Sequence, residues 1–391
     1  MSRPQVTLCL DASPGQDRLA FLDAAGVVID IWFNPHHRPN LVGSVHQVCV
    51  TRLFVSQSRA TARLVDGTEI SIRLRRPDLN RIKQGALVLV TIVAAPRHGK
   101  TWQAVIGARL VGRDMVLLFG LSEGSPQLKL SSEIPAGQRN AVLMRLSKMA
   151  GTILGPGFGI ILRREAATLP DFRPSITALL DGWQAGFHDC GTSVGLVHDG
   201  GGLLGRALRL YPDAALVEDA KTRAEIGEML DDAISSMMSR KVRLACGGSL
   251  WCERTHALWA VDVDGGSCDD LYRLGVEAVD EIARQIRLRG MTGVVLIDLP
   301  RLSSDQTRAL LNQFAVRLSD DPRRPVILGR TRGGIIELRV PHGDMAVDEI
   351  LSDQPAQDAL AGLRLVAAHP PFQPVRLAVS RSMADWLNST G

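Results

Sequence analysis

Residues 257–299 constrain the fold of this chain more than any other stretch. Ala257 to Val263 is a dense apolar run and predicts a buried strand. Leu271 to Leu288 then repeats with the period of a helix. Leu271, Leu274, Ala278, Val279, Ile282 and Ile286 share one face, and Glu277, Asp280, Glu281, Arg284 and Arg287 fall on the others. Gly290 to Gly293 ends that helix, and Val294 to Leu299 predicts a second buried strand. Strand, helix, strand is a βαβ unit, whose strands run parallel and whose crossover is right-handed. Ser303 opens a further helix, with Gln306 placed to complete a capping box. Pro325 to Leu328 and Gly334 to Arg339 read as strands again.

The rest of the chain is punctuated by turns. Val6 to Leu10, Arg18 to Leu22 and Gly26 to Trp32 predict three strands separated by Asp11–Gly15 and Asp23–Gly26. In residues 41–112, Leu41 to Phe54 reads as one long strand. Arg59 to Val65 and Glu69 to Leu74 flank the hairpin signal Asp66-Gly67. Ala86 to Ala94 and Trp102 to Leu110 follow, separated by Pro96–Lys100. This spacing of short strands predicts a small Greek-key barrel of the OB type. Met115 to Gly120 and Gly159 to Arg163 read as strands. Pro135 to Met149, Pro174 to Phe187 and Thr222 to Met238 read as helices, the last with apolar Ile226, Met229, Leu230, Ile234 and Met237.

A length of 391 residues predicts two to four domains at roughly 100–200 residues each. The formal charge of +4 is too small to mark a nucleic-acid partner by itself, so the distribution of charge has to decide. The first residues reach Asp11 before a signal-peptide core can form. Apolar runs such as Ala86 to Ala95 fall short of the ~20 residues a membrane helix needs. A cytoplasmic protein with no membrane partner is expected. None of the six cysteines forms a C-x-x-C pair, which argues against a zinc ribbon or a thioredoxin motif. Reduced, mostly buried thiols are expected.

Asp262 and Asp298 carry the chemistry. Each stands at the carboxyl end of an expected parallel strand, where open α/β sheets bind ligands. Asp264, two residues beyond Asp262, faces the same side of an extended chain. A lone aspartate after a strand also serves as a turn former or helix cap, so the pair carries the reading and neither residue does alone. Carboxylates brought close repel each other, and a divalent cation relieves that. Magnesium suits the set, since it takes one or two carboxylates with waters and phosphate oxygens, and such an ion can activate water at a phosphodiester.

Arg240-Lys241-Val242-Arg243-Leu244, Gly247-Gly248-Ser249-Leu250 and Ala257-Leu258-Trp259-Ala260-Val261-Asp262-Val263-Asp264 resemble the catalytic core of the ribonuclease E/G family. Glu277 to Arg289 continues the likeness, and Gly293-Val294-Val295-Leu296-Ile297-Asp298 keeps it in register to the second aspartate. More weakly, Leu41–Val45 with Val50-Thr51-Arg52 is similar to the opening of the family's S1 domain. Leu110–Leu118 is similar to the approach to its 5′-sensor region, Thr331–Leu338 to the segment closing its catalytic domain, and Asp358 to Leu387 to a reduced small domain.

The resemblance implies a two-aspartate magnesium site at Asp262 and Asp298. Asp264 takes the position of a family asparagine that helps position the ion, and is expected to assist catalysis as a third ligand or from just behind the two. Arg163 and Arg164 take the positions of an Arg-Thr pair that holds a 5′-monophosphate. Thr61 falls near an expected barrel aromatic with no clear substitute, while Arg73, Arg75, Arg76, Arg81, Arg97 and Lys100 could track phosphates. Arg332 is a candidate phosphate contact. His256 replaces an acid expected near the site. The zinc-link cysteines are absent, since Leu338 is followed by Arg339-Val340-Pro341-His342-Gly343, so any oligomer would form without that link.

The implied architecture is α+β and multidomain: residues 1–39 as the first part of an RNase-H-like subdomain, 40–112 as an S1/OB-type RNA-binding barrel, and 113–200 as a 5′-sensor-like region. Residues 201–238 would be the second part of the RNase-H-like subdomain, 239–350 a DNase-I-like catalytic domain and 351–391 a reduced small domain. The implied function is a magnesium-dependent endoribonuclease acting on single-stranded RNA. The alternatives are an RNA-binding protein of the same fold with weak or no nuclease activity, and a metal-dependent enzyme acting on other phosphodiesters.

Overall fold

The computed structural model describes residues 5–97, 99–120, 127–370 and 374–390. His98 in the Pro96–Lys100 turn, residues 1–4, and residues 371–373 within the expected small domain lie outside them. The chain forms two compact units, one of residues 1–40 with 214–391 and one of residues 41–213.

The first unit opens with an antiparallel meander of β1 (Thr7–Ser13), β2 (Gln16–Leu22) and β3 (Val28–Pro35). These strands run longer than the apolar runs that announce them, because Asp11, Asp17 and Asn34 pair in the ladder as well.

The second unit begins with β4 (Val45–Phe54), β5 (Arg59–Arg63), β6 (Glu69–Arg73), α1 (Arg76–Arg81), β7 (Leu87–Ala94) and β8 (Trp102–Ile106). Their order is β4-β5-β6-β8-β7, and the β4–β7 pairing closes a five-stranded barrel. Only β6 and β8 pair in parallel within it. Period-2 alternation drives Ala60, Ala62, Ile70, Ile72, Val90 and Ile92 into the barrel core. The expected strand Leu41 to Phe54 starts late, because Gly43 at φ +93° and the Ser44-to-Leu41 backbone hydrogen bond make a turn first. The expected strand Trp102 to Leu110 is two strands. Gly107 at φ +92° breaks it, and β9 (Ala108–Val111) joins the next sheet.

That sheet has the order β11-β12-β10-β9, with β10 (Met115–Phe119), β11 (Gln127–Leu130) and β12 (Gly159–Leu162). The helices α2 (Ala136–Ile153) and α3 (Arg173–Ala185) share a core with it that includes Leu117, Leu146, Ile160, Phe172 and Ile176. β13 (Gly195–His198) adds to β4, and α4 (Gly202–Leu210) ends the unit.

Back in the first unit, β14 (Ala215–Leu216) pairs in parallel with β1. α5 (Ala220–Met238) buries Ile226, Leu230 and Met237 against the first sheet, whereas Met229, expected on that face, is 41% exposed. Then follow β15 (Lys241–Arg243), β16 (Ser249–Arg254), β17 (Leu258–Asp264), α6 (Leu271–Leu288), β18 (Gly293–Asp298), α7 (Ser304–Leu318), β19 (Val326–Arg330) and β20 (Ile336–Val340). They make a six-stranded sheet of order β15-β16-β17-β18-β20-β19, with β17 and β18 parallel. The βαβ unit is therefore present, and α6 has the bounds its periodicity predicts. The short helix α8 (Val347–Leu351) and the helices α9 (Gln354–Ala367) and α10 (Arg381–Thr390) close the chain.

The expectation of buried strands holds for one face of this sheet. Leu250, Val261, Val295, Ile297 and Leu338 pack against Leu274, Ile282 and Ile286 of α6 and Leu310 and Phe314 of α7. The alternate residues lie on the other face and, apart from buried Ser249, remain partly or fully accessible. No two cysteines are joined among the described residues; Cys9 and Cys252 are buried, and the other four are half-buried rather than buried as expected. No helix among the described residues is long and apolar enough to cross a membrane.

Candidate functional site

Asp262 and Asp298 are register partners on the parallel pair β17–β18. Neighbouring strands lie roughly 4.7–4.9 Å apart, and in-register side chains project from the same face. Both aspartates are exposed on the open face, Asp298 as the last residue of its strand. Neither carboxylate has a hydrogen-bond or ion-pair partner among the described residues. They line a groove of about 580 Å³ with Trp251, Glu253, Ala260, Leu296 and Ile335. The donor set fits magnesium: two hard carboxylates side by side, open to the waters and phosphate oxygens that complete its shell.

Asp264 shares the face of Asp262 and is exposed, but its Oδ1 accepts a hydrogen bond of 3.1 Å from the Gly266 N–H. It is not among the residues lining the groove. Among the described residues no group of three or more His, Cys, Asp or Glu side chains is arranged to hold a metal ion. The turn at Gly265–Gly266 explains the placement. A Cβ on Gly266, at φ +52°, would stand 2.4 Å from the Gly247 carbonyl, so the chain passes close to the β15–β16 loop directly after Asp264.

Arg332 sits on the β19–β20 turn, closed by the Thr331 N–H to Ile335 carbonyl bond of 2.8 Å. Because β20 runs antiparallel to β18 with Ile297 opposite Ile336, this turn lies at the Asp298 end of the sheet. Arg332 is exposed and has no partner among the described residues. His256 is elsewhere. It occupies the turn before β17, six residues and roughly 20 Å of extended chain from Asp262, so the expectation that it lies near the site is corrected.

The second unit carries a separate basic groove of about 660 Å³ on the barrel, lined by Arg52, Phe54, Arg59, Thr61, Arg63 and Lys100 among others. The Arg59 guanidinium stands 4.7 Å from the Phe54 ring centroid. Of the six cations expected to track phosphates, Lys100 alone lines this groove; Arg75, for one, pairs with Asp78 at 3.7 Å. Sequence reasoning missed Arg52, Arg59, Arg63 and Phe54. The signal was there for two of them, since the alternation Arg59-Thr61-Arg63 puts these side chains on one side of β5 while Ala60 and Ala62 fill the core. Arg163 is half-buried, and its Nη1 donates to the Gly112 carbonyl at 2.7 Å; Arg164 is exposed with no partner among the described residues. The two adjoin in sequence, but Arg163 is committed to its own sheet.

Residues 214–339 match the ribonuclease E/G family. That span holds the whole βαβ unit and both aspartates. Ribonuclease G of Salmonella typhimurium is 22% identical over 416 aligned residues, covering 89% of this chain and 82% of that protein. Ribonuclease G of Escherichia coli is 22% identical over the same shares. Ribonuclease E of Buchnera aphidicola is 36% identical over 117 residues, covering 28% of this chain and 13% of that protein.

Proposed function

The chain belongs to the ribonuclease E/G family, and from that premise we propose that it is a magnesium-dependent endoribonuclease that hydrolyses phosphodiester bonds in single-stranded RNA. The observation that carries this reading is the in-register pair of carboxylates, Asp262 and Asp298, which stand on an open sheet face with no partner among the described residues. These two residues hold the ion. Bound there, magnesium supplies a Lewis acid for a phosphoryl oxygen and lowers the pKa of water. Asp264 assists by fixing the turn beside the site, and Arg332 offers a forked donor to a substrate phosphate at the same end of the sheet. Single strands suit the groove, because their backbone bends and their bases are unstacked.

In this reading residues 40–112 are an S1-type barrel, whose groove binds RNA through Lys100 and its neighbouring arginines. The closed strand order, with its single parallel pairing, supports an OB-type assignment. Residues 113–200 are the 5′-sensor-like region, in which Arg164 meets the terminal phosphate and Arg163 shapes its surroundings. Residues 1–39 and 201–238 are the RNase-H-like subdomain, 239–350 the DNase-I-like catalytic domain and 351–391 the reduced small domain.

Asp264 favours a second reading. An aspartate tied to a turn, where the family has an asparagine, suits a protein that binds RNA without cutting it. One experiment separates the two: labelled single-stranded RNA is incubated with the protein in Mg²⁺, beside EDTA and Asp298→Ala controls. Cleavage lost in both controls is the expected result. RNA retarded on a gel but left intact by the wild type would overturn the nuclease reading and leave the binding protein.

A further inference from the structure

The register of the open face places a large aromatic beside the carboxylates. Lys241 pairs with Trp251, Trp251 with Asp262, and Asp262 with Asp298, so the four residues form one row across β15, β16, β17 and β18. Trp251 therefore stands one strand from Asp262 and two from Asp298, about 5–10 Å along the row. It is 38% exposed, while its strand neighbours Leu250 and Cys252 are buried. The alternation fixes the indole outward, in the groove that both aspartates line, and the core on the far face makes no use of it. Lys241 Nζ lies 5.1 Å from the ring centroid. Arg243 is exposed on the same side of β15.

We propose that Trp251 is a stacking platform for the base of the nucleotide adjoining the scissile phosphate, with Lys241 facing that nucleotide's backbone. The proposal rests on the RNA-cleaving reading and names a subsite within it. The row presents a cation, an aromatic surface and then two carboxylates ready for a metal ion. A nucleotide presents an apolar base one short step from an anionic phosphate, so base on indole and phosphate toward the ion is the matching order. A carboxylate pair by itself repels RNA, and Lys241 and Arg243 offset that on the approach side. Stacking accepts any base because each has a π face. The subsite thus positions the backbone without fixing sequence, and Trp251 is a positioning residue rather than a metal ligand.

The test uses the full chain. In an Asp298→Ala background that leaves RNA uncut, a short single-stranded RNA is titrated while tryptophan emission is followed. Emission should change on binding, and the change should shrink in the additional Trp251→Phe variant. Affinity should fall about 5- to 100-fold with Trp251→Ala, the range that stacking of one base covers, and recover in part with Trp251→Phe. In the active protein Trp251→Ala should raise KM and leave the magnesium half-saturation concentration unchanged. One abasic nucleotide is then walked through the RNA. At one position it should weaken the wild type and cost Trp251→Ala nothing further. An abasic penalty equal in both proteins at every position sinks the platform. So does a Trp251→Ala variant whose RNA affinity is intact while its mass in solution falls, which would make this face an interface between copies of the chain. If the wild type cuts no RNA, the nuclease reading fails by itself and the titration decides: unchanged emission and affinity then overturn the platform too.

Discussion

At the scale of single residues, the three aspartates near the ends of β17 and β18 face different physical demands. Asp262 and Asp298 have no partner among the described residues, so their substitution should leave the fold intact. Asp262→Asn is expected to lower cleavage at least about 100-fold, the scale of losing one group that stabilises developing charge. RNA retention on a gel should stay unchanged, and a variant that cleaves normally would remove Asp262 from the mechanism. Asp264 already accepts the Gly266 N–H. Asp264→Asn keeps that acceptor and sheds a charge, so thermal unfolding should not move while the magnesium needed for half-maximal cleavage rises. Asp264→Ala loses the bond and should cost about 1 kcal/mol in urea unfolding. The aspartates were legible in the sequence because each closes an apolar run on one side of a βαβ unit. Trp251 was not, because Leu250-Trp251-Cys252 reads as an unbroken apolar triplet, and only the pairing with β17 shows that the middle residue faces outward.

At the scale of elements, legibility followed the strength of the periodic signal. α6 was readable to its bounds because one apolar stripe runs its whole length and Gly290, at φ +59°, stops it. α1, β13 and α4 were not, since four to nine residues carry too little period and answer to local caps instead. In α1 the Asp78 carboxylate accepts the Arg75 N–H at 2.8 Å. The box that opens α7 is present in both directions, Ser303 Oγ from the Gln306 N–H and Gln306 Oε1 from the Ser303 N–H. Ser303→Ala should therefore destabilise the protein by about 1 kcal/mol; a denaturation midpoint that does not move would show the cap to be redundant. Where the C-terminal turn of α6 meets β3, Asp30 is buried with Arg287 Nε at 3.7 Å. Burial, only partly offset by Arg287 and Arg323, pushes its carboxyl up to about 6. A folded-state value above the unfolded one favours folding fully below about pH 4, and that contribution is lost as pH rises through 6. Nearby Asp321 has the opposite sign. Burial would raise it too, but the Arg323 guanidinium at 2.6 Å outweighs that and holds it low, so its contribution is lost only as pH falls into the acid range. Asp30→Asn should thus remove a loss on the order of 3 kcal/mol between about pH 4 and 6, read from urea unfolding of both proteins across that range; parallel curves would refute the assignment.

At the scale of the whole molecule, the formal +4 conceals a division that follows the two units. Residues 41–213 hold 21 basic and 12 acidic side chains, a formal +9, so the remainder of the chain carries −5. Residues 41–112 alone hold 11 basic against 3 acidic. The total charge was legible and uninformative, whereas its division needed the unit boundaries and the closed barrel to be seen. The unit with the carboxylate pair thus has a net charge that opposes RNA, and the barrel has the charge that attracts it. Affinity should then come mainly from phosphate contacts in the barrel groove, where Arg52, Arg59, Arg63 and Lys100 gather. Each phosphate neutralised on a single strand contributes roughly −0.7 to the slope of log affinity against log salt. Arg63→Ala with Lys100→Ala in the full chain should flatten that slope by about 1.4, measured by anisotropy of a labelled RNA across a potassium chloride series. At saturating RNA the cleavage rate should match the wild type, because neither residue lines the carboxylate groove. A fall in affinity with an unchanged slope would mean that the groove holds RNA by stacking on Phe54 rather than by charge. A fall in the saturated rate would mean that barrel and carboxylates act on the substrate together.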